Sequence, residues 1–392
     1  MILENPFITN ASAPDVYVTK GRDAYENTRQ ALTAMDLSKT KGLRVLLKPN
    51  IGRPAKPGAG VTTNPQVIAA AIDAFQGAGA MVAIGESPIL GTDLGEAYRI
   101  CGVTRIARER ACPLLDMDRQ PPVEMTVPHG KAIKSLQVCA DIEAFDIIVS
   151  IPVMKMHMHT HVTLSIKNMK GCLWQRSKVK LHRLSPVQGD DNKPINIAIA
   201  DLSGVLRPHL AIIDGSVGME GMGPSAGSPK ELGVVVVSAD PFAADSVACE
   251  LMGTTALEAP HLAIAAMRGY GVIDIKAIRV HPLGWRDWVK PFDKPPDNLA
   301  IQFPDITVLD KNSCSACQST LLLFLKEYAD GLLTYFPGQT QVQIAIGKGH
   351  KQVPEKTLCI GNCMAAHKDQ GVFVQGCPPV SSEILKALKP EN

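Results

Sequence analysis

Aromatic side chains make up only 5% of this 392-residue chain, and neither sign of charge is in real excess, the formal net charge being +2. The first shortage removes the stacking platforms that single-stranded nucleic acid needs, and the second removes a whole-surface attraction for its phosphates. Nucleic acid is therefore not an expected partner. No uninterrupted apolar stretch is long enough to cross a bilayer, so no membrane partner is expected either. The opening residues, MILENPFITNASAP, lack a basic region followed by an apolar run, and the sequence reads as cytoplasmic with reduced thiols. Neither GxGxxG nor a Walker pattern occurs, so no nucleotide specificity follows, and there is no internal repeat or heptad.

What is present is an ordinary globular composition, 45% hydrophobic and 20% charged, enough for a large core and two domains. LRVLLKPN reads as a buried strand from Leu43 to Lys48. TTNPQVIAAAIDAFQGAGA reads as a helix capped by Asn64, opened by Pro65 and stopped near Gly77. MVAIGES returns as a strand, which implies a parallel crossover. Further apolar runs, FDIIVSIPVMK, HLAIIDG and LGVVVVSAD, the last followed by a helix opened at Asp240-Pro241, extend the pattern. The expected fold is α/β, a doubly wound, mostly parallel sheet over residues 1–300. LGWRDWVKPFDKPPDN, Leu283 to Asn298, reads as a surface crossing to a small C-terminal α/β metal-cluster domain over 301–392. That domain is expected to hold a helix in LLLFLKEYADGLL, strands in VQIAIGK and TLCIG, and a closing helix in SSEILKALK.

Acid is missing where base is concentrated. Between Ile147 and Gly189 there is no Asp or Glu, while Lys155, Lys167, Lys170, Arg176, Lys178, Lys180 and Arg183 all occur, with His157, His159, His161 and His182. Such a stretch inside a nearly neutral protein marks a local positive field fit for a phosphate or carboxylate. It begins at the end of an apolar strand, where open α/β sheets bind ligands. In an extended chain His157, His159 and His161 alternate onto one face; His157 is expected to face substrate as acid or hydrogen-bond donor. IIDGSVGMEGMGPSAGSP follows a strand with Gly215, Gly218, Gly221, Gly223 and Gly227, and reads as a ligand cradle or a mobile loop, with Asp214 and Glu220 as acid-base or metal-binding groups beside it.

Four cysteines carry the clearest chemistry. Cys314 and Cys317 form a CxxC, Cys363 lies in IGNC and Cys377 in QGCPP. Soft thiolates in this number suit an iron-sulfur cluster or zinc. Only the first pair is a compact knuckle and the last cysteine precedes proline, which favours one 4Fe-4S cluster, with zinc as the alternative. Cys359 points away from its neighbours in the strand TLCIG and reads as a buried apolar residue.

LLKPN, TTNPQVIAAAIDAF with IGESP, MKMHMHTHVTLSIKNMKG, KLHR, IIDGSVGMEGMGPSAG and SADPFAADSVA together resemble the family catalogued as domain of unknown function 362, whose members are commonly described as iron-sulfur cluster-binding proteins. The resemblance spans most of the chain from about Leu43 onward. It places Lys48, Asn50, His157, Lys167, Asn168, Gly171, His182, Asp214, Glu220, Gly221, Gly223, Asp240 and Asp245 on family motif positions. The ligand-binding residues expected are Lys48, Asn50, Lys155, Asn168, Lys170, His182, Glu220, Gly221 and Gly223, with Lys155 and Lys167 as the principal charges of the acid-free segment. Some members carry two CxxCxxCxxxCP runs, which this chain lacks; it is similar instead to members with a terminal CxxC, GNC, GCPP segment, implying one cluster on Cys314, Cys317, Cys363 and Cys377. The expected function is redox or electron transfer, acting on an anionic small molecule or with an electron-transfer protein as partner; if an enzyme, the chain is an iron-sulfur oxidoreductase. The alternative is a non-redox lyase, isomerase or transferase on an anionic metabolite, with His157, Lys167 and Asp214 as the acid-base set and the cluster or zinc structural.

Overall fold

The computed structural model describes residues 5–8, 10–89, 91–295 and 303–389. The chain divides into two compact units: residues 1–181 with 185–295, and residues 182–184 with 296–392. The expected boundary at 300/301 and the end of the expected crossing, 296–298, lie outside the described residues.

The larger unit is α/β around a ten-stranded, mostly parallel sheet. In chain order it comprises β1 (Asp15–Lys20), α1 (Ala24–Leu32), β2 (Arg44–Pro49), α2 (Pro65–Gly77), β3 (Met81–Glu86), α3 (Leu94–Ile100), α4 (Val103–Glu109), β4 (Leu114–Asp116), the separate hairpin β5 (Val123–Thr126) and β6 (Ser135–Val138), β7 (Ile147–Ile151), β8 (Val153–His157), β9 (His161–Thr163), α5 (Ser165–Asn168), α6 (Ser177–Lys180), α7 (Pro194–Ser203), β10 (Leu210–Glu220), β11 (Ser228–Ser238), α8 (Pro241–Leu251), α9 (Pro260–Met267) and β12 (Arg279–His281). Strand order is β12-β1-β11-β10-β7-β2-β3-β4, with β8 pairing β10 and β9 off this path.

Local signals explain the elements that matter for the site. The Asn64 side chain accepts the N–H of Gln66 at 2.9 Å and Pro65 opens α2, so the capping chemistry sets where the helix starts. Val67, Ile68, Ala71, Ile72 and Phe75 of α2 are buried in one cluster with Val45, Leu47, Ile84 and Val149 of the sheet. Asp240 likewise caps α8, accepting from Phe242 and Ala243. From β2 the chain moves outward through α2 to β3 and on to β4, whereas β7 lies on the other side of β2 and leads toward β10. The order therefore reverses between β2 and β7, and in open α/β sheets the crevice at such a reversal, outside the carboxyl ends of the strands, is where ligands bind. Lys48, Asn50 and Ser150 stand at those ends.

One expectation is corrected and two segments are refined. FDIIVSIPVMK is two strands, because Pro152 has no N–H to continue the ladder and β8 departs from β7 to pair with β9 and the far part of β10. The histidines do not alternate along an extended chain: the backbone turns at 158–160, so that His157 pairs across a hairpin with His161, which takes a left-handed φ of 68°. Residues Leu283–Trp288 form a tight 3-10 turn that runs mostly exposed over the surface, with Trp285, only 2% exposed, anchoring it. No described helix is long and apolar enough to cross a membrane.

The smaller unit has its own parallel sheet, β13 (Ile306–Asp310), β14 (Val342–Ile346), β15 (Thr357–Ile360) and β16 (Gly371–Val374) in that order, with α10 (Ser315–Tyr328) and α11 (Ser381–Leu388). Leu321, Phe324 and Leu325 of α10 and Ile384 of α11 pack with Ile344, Leu358 and Ile360 of the strands. It is thus a second α/β layer with a separate core.

Candidate functional site

At the reversal point of the large sheet a buried polar network replaces the apolar core. Lys48, 1% exposed, donates to both carboxylate oxygens of Glu86 at 2.7 and 2.8 Å and to the Pro49 carbonyl at 2.7 Å. An ammonium has three donors, so Lys48 is spent inside the protein and is not the ligand-binding cation expected of it. Glu86 also accepts the N–H groups of Ile51 and Ser87, which completes the shell that a buried charge requires. Gly171 makes room for this pair: a Cβ there would lie 2.6 Å from Lys48 Nζ and 2.7 Å from Glu86 Oε1. Asn168 braces it, donating to Ser150 Oγ and the Lys48 carbonyl at 3.1 Å each.

Lys155 stands beside this pair under different conditions. Its Nζ, on a side chain 4% exposed overall, donates to Asn50 Oδ1 at 2.7 Å and the Val61 carbonyl at 2.8 Å, both neutral. Burial, reinforced by Arg53, pulls it down to about 7. Burial and then Lys155 pull Lys167 down to about 7 as well, and Lys170, depressed by burial and next by Lys167, lies well below the lysine range. Lys167 donates to Thr163 Oγ1 at 3.2 Å. Among the described residues no carboxylate is within ion-pair reach of Lys155, Lys167 or Arg53, and burial alone depresses the Arg53 guanidinium. Glu86 opposes the shift of Lys155 without pairing with it, so these cations form a local positive field of the kind that suits an anion. Arg53, planar and suited to bidentate carboxylate or phosphate contacts, belongs to it and was not among the sequence candidates.

The acid-free segment borrows acids from elsewhere in the unit. Asp118 pairs with Lys178 at 3.4 Å and accepts from Ser87 at 2.6 Å. Asp245 of α8 accepts the N–H groups of Ser165 and Ile166, capping α5, and burial raises its carboxyl to about 8.

The remaining sequence candidates are placed as follows. His157 is 3% exposed and its Nδ1 accepts the N–H of His159 at 3.0 Å, so it closes the β8–β9 hairpin from inside. Asp214, 1% exposed, accepts from Ser216 and from the Asn64 N–H at 2.7 Å. It ties the start of α2 to β10 and is held by burial above the usual carboxylate range. Glu220 ends β10 in an ion pair with Lys230 at 2.6 Å and accepts the Asp293 N–H. The glycine segment is no amide cradle: the N–H of Gly221 donates to Asp293 and that of Gly223 to Gly221. A Cβ on Gly223 would stand 1.9 Å from the Met156 carbonyl oxygen, so close backbone packing explains that glycine. His182 groups with the smaller unit, its Nδ1 2.6 Å from Ser315 Oγ, between Cys314 and Cys317 in sequence.

In the smaller unit Cys314 occupies the N-cap of α10. A hydrogen bond from Cys317 holds Cys314 below the usual thiol range, and the N–H groups of Cys317 and Ala316 act in the same direction. Cys317 is raised, first by Cys314, then by burial, then by the charges of Cys314, Cys363 and Cys377. The four thiols are therefore close enough to feel one another. Cys359 is raised by burial alone, bonds weakly to the His367 carbonyl at 3.8 Å, and packs with Ala345, Val353 and Met364. None of the ten cysteines is in a disulfide. Among the described residues no three His, Cys, Asp or Glu side chains are gathered as for a single metal ion. The donor set of four sulfurs with amide N–H groups aimed at one of them fits a thiolate-ligated cluster.

A family model described as domain of unknown function (DUF362) matches residues 45–250. That span contains the lysine site and none of the four clustered cysteines. A thylakoid-associated protein of Synechocystis sp., sll1697, is 29% identical over 215 residues, which cover 54% of this chain and 63% of that protein. The match thus spans less than two thirds of that relative.

Proposed function

Because the chain belongs to the DUF362 family, whose description names no reaction, we propose a function from the chemistry of its two centres: an iron-sulfur protein with a redox or electron-transfer role, acting on an anionic ligand or partner. The observation that supports this reading is that Cys317 feels the charges of Cys314, Cys363 and Cys377, whereas Cys359 responds to burial alone. One 4Fe-4S cluster on these thiolates exchanges single electrons when bound. The chain's own contribution is to direct the α10 N–H groups at Cys314, since hydrogen bonds to sulfur tune a cluster's potential, and to leave Cys363 exposed toward an electron-transfer protein. In the body, Lys155, Lys167 and Arg53 hold the anion and Asn50 and Asn168 fix the lysine geometry. A cytoplasmic location, where thiols are kept reduced, completes the proposal.

A second reading, a non-redox lyase, isomerase or transferase with a structural cluster or zinc, is favoured by one observation. Lys155 and Lys167 have values of about 7, suited to proton transfer at neutral pH, and an electron carrier has no need of them. Anaerobic purification, iron and acid-labile sulfide analysis, and EPR of the reduced protein separate the two. A reducible iron-sulfur signal supports the first reading; zinc without any reducible centre leaves the second.

A further inference from the structure

We propose that Lys167 is an amine nucleophile that forms an imine with a carbonyl compound carrying a carboxylate, a 2-oxo acid being the simplest member of the class. The inference rests on the anion-site reading above and names its substrate chemistry.

The geometry separates three neighbouring lysines by what each is free to do. Lys48 is neutralised by Glu86 and sealed from solvent. Lys155 is pinned by Asn50 and the Val61 carbonyl, which leaves it one N–H to offer a carboxylate and no freedom to attack. Lys167 is only partly buried, stands on the single turn α5 whose start is fixed by Asp245, and makes one long contact, to the Thr163 hydroxyl. No described carboxylate pairs with it, and Lys155 is near enough to oppose its protonation. A desolvated lysine beside other cations is kept as the free amine, and the free amine is the nucleophile toward carbonyls. Lys155 beside it, whose charged form an anion favours, supplies the charge that a carboxylate on the same small molecule would seek.

The step balances without a further reagent. The Nζ lone pair forms a bond to the carbonyl carbon, giving a carbinolamine. The former carbonyl oxygen takes up the two hydrogens that leave nitrogen and departs as water, and the C=N bond remains. The Thr163 hydroxyl, 3.2 Å from Nζ, is placed to pass a proton between nitrogen and oxygen.

The test incubates the full-length protein with pyruvate and sodium cyanoborohydride at neutral pH, followed by peptide mass spectrometry, with thermal unfolding measured in parallel in pyruvate and in lactate. Lactate has the same charge and no carbonyl. The expected result is one reduced pyruvyl adduct per chain, on Lys167, lost in Lys167→Arg and reduced at least tenfold in Lys155→Met, while both acids raise the melting temperature of the wild-type protein. Lys170→Arg, folded by the same thermal measurement, should retain the adduct. Stabilisation by both acids with no adduct, or adducts spread over exposed lysines and unchanged in Lys167→Arg, overturns the imine and leaves the anion site standing. Stabilisation by neither acid overturns the anion site itself.

Discussion

The two units each hold a group of chemically alike side chains, cations in the larger and thiols in the smaller. In the large unit Lys155, Lys167 and Arg53 face one another without a matching acid, although Glu86 and Asp118 show that the fold does supply acids where it uses lysine as a structural cation. In the small unit Cys314 and Cys317 stand at the start of α10, where amide N–H groups favour thiolate at Cys314, and Cys317 feels the charges of Cys314, Cys363 and Cys377. On the proposed reading one takes an anion and the other a metal cluster. Within the large unit the same contrast recurs at short range: Lys48 and Lys155 are both buried, but only Lys48 has a carboxylate, so burial alone does not make a binding cation. What distinguishes a binding group from a structural one is whether its charge is already answered.

The sharpest break between the centres comes from the cysteines. Cys→Ser at 314, 317, 363 or 377 is expected to abolish bound iron in anaerobically purified protein, because a hydroxyl is a poor substitute for thiolate, whereas Cys359→Ser should keep its iron. Equal iron loss in the Cys359 variant would remove the four-ligand assignment. In the body the largest effect should follow from Glu86→Gln, which leaves Lys48 buried and unanswered; breaking a buried pair on one side costs about 3–5 kcal/mol. Denaturant titration showing a loss under about 1 kcal/mol would mean that Lys48 is not structural. Gly171→Ala pushes a methyl against the same pair and should cost about 1–3 kcal/mol, as overpacking does. Proton bookkeeping gives the smallest signal. Lys155 has a folded value of about 7, below its unfolded one, so its contribution to stability is complete above the unfolded value and lost as pH falls through about 7. An anion favours the charged form, so binding of phosphate at a pH about one unit above 7 should take up protons, seen as a dependence of calorimetric heat on buffer ionisation. Lys155→Met should flatten both the stability profile and the proton uptake.

The body's architecture was legible because its signals are local. Asn64-Pro65 and Asp240-Pro241 mark helix starts through hydrogen bonds within a few residues, and apolar runs mark buried strands. Four cysteines with one soft chemistry could be grouped from sequence without three-dimensional knowledge, and the structure adds that three of them act electrostatically on Cys317. The lysine site was half visible: an acid-free segment announces positive charge, but which cations are already paired depends on Glu86, Asp118 and Asp245, which arrive from β3, the segment after β4, and α8. Glu86 left a trace, being the acid that closes an apolar strand as Lys48 closes its neighbour. The glycine run misled for a related reason. Gly223 serves backbone packing against Met156, and glycine looks the same in sequence whether a ligand or a carbonyl oxygen comes close.

Anomalous diffraction from anaerobically grown crystals, recorded on both sides of the iron edge, tests the assignment of the small unit most directly. The prediction is an iron signal enclosed by the sulfurs of Cys314, Cys317, Cys363 and Cys377, with Cys359 outside it. A signal at the zinc edge alone, or iron bound away from these four sulfurs, would contradict the account.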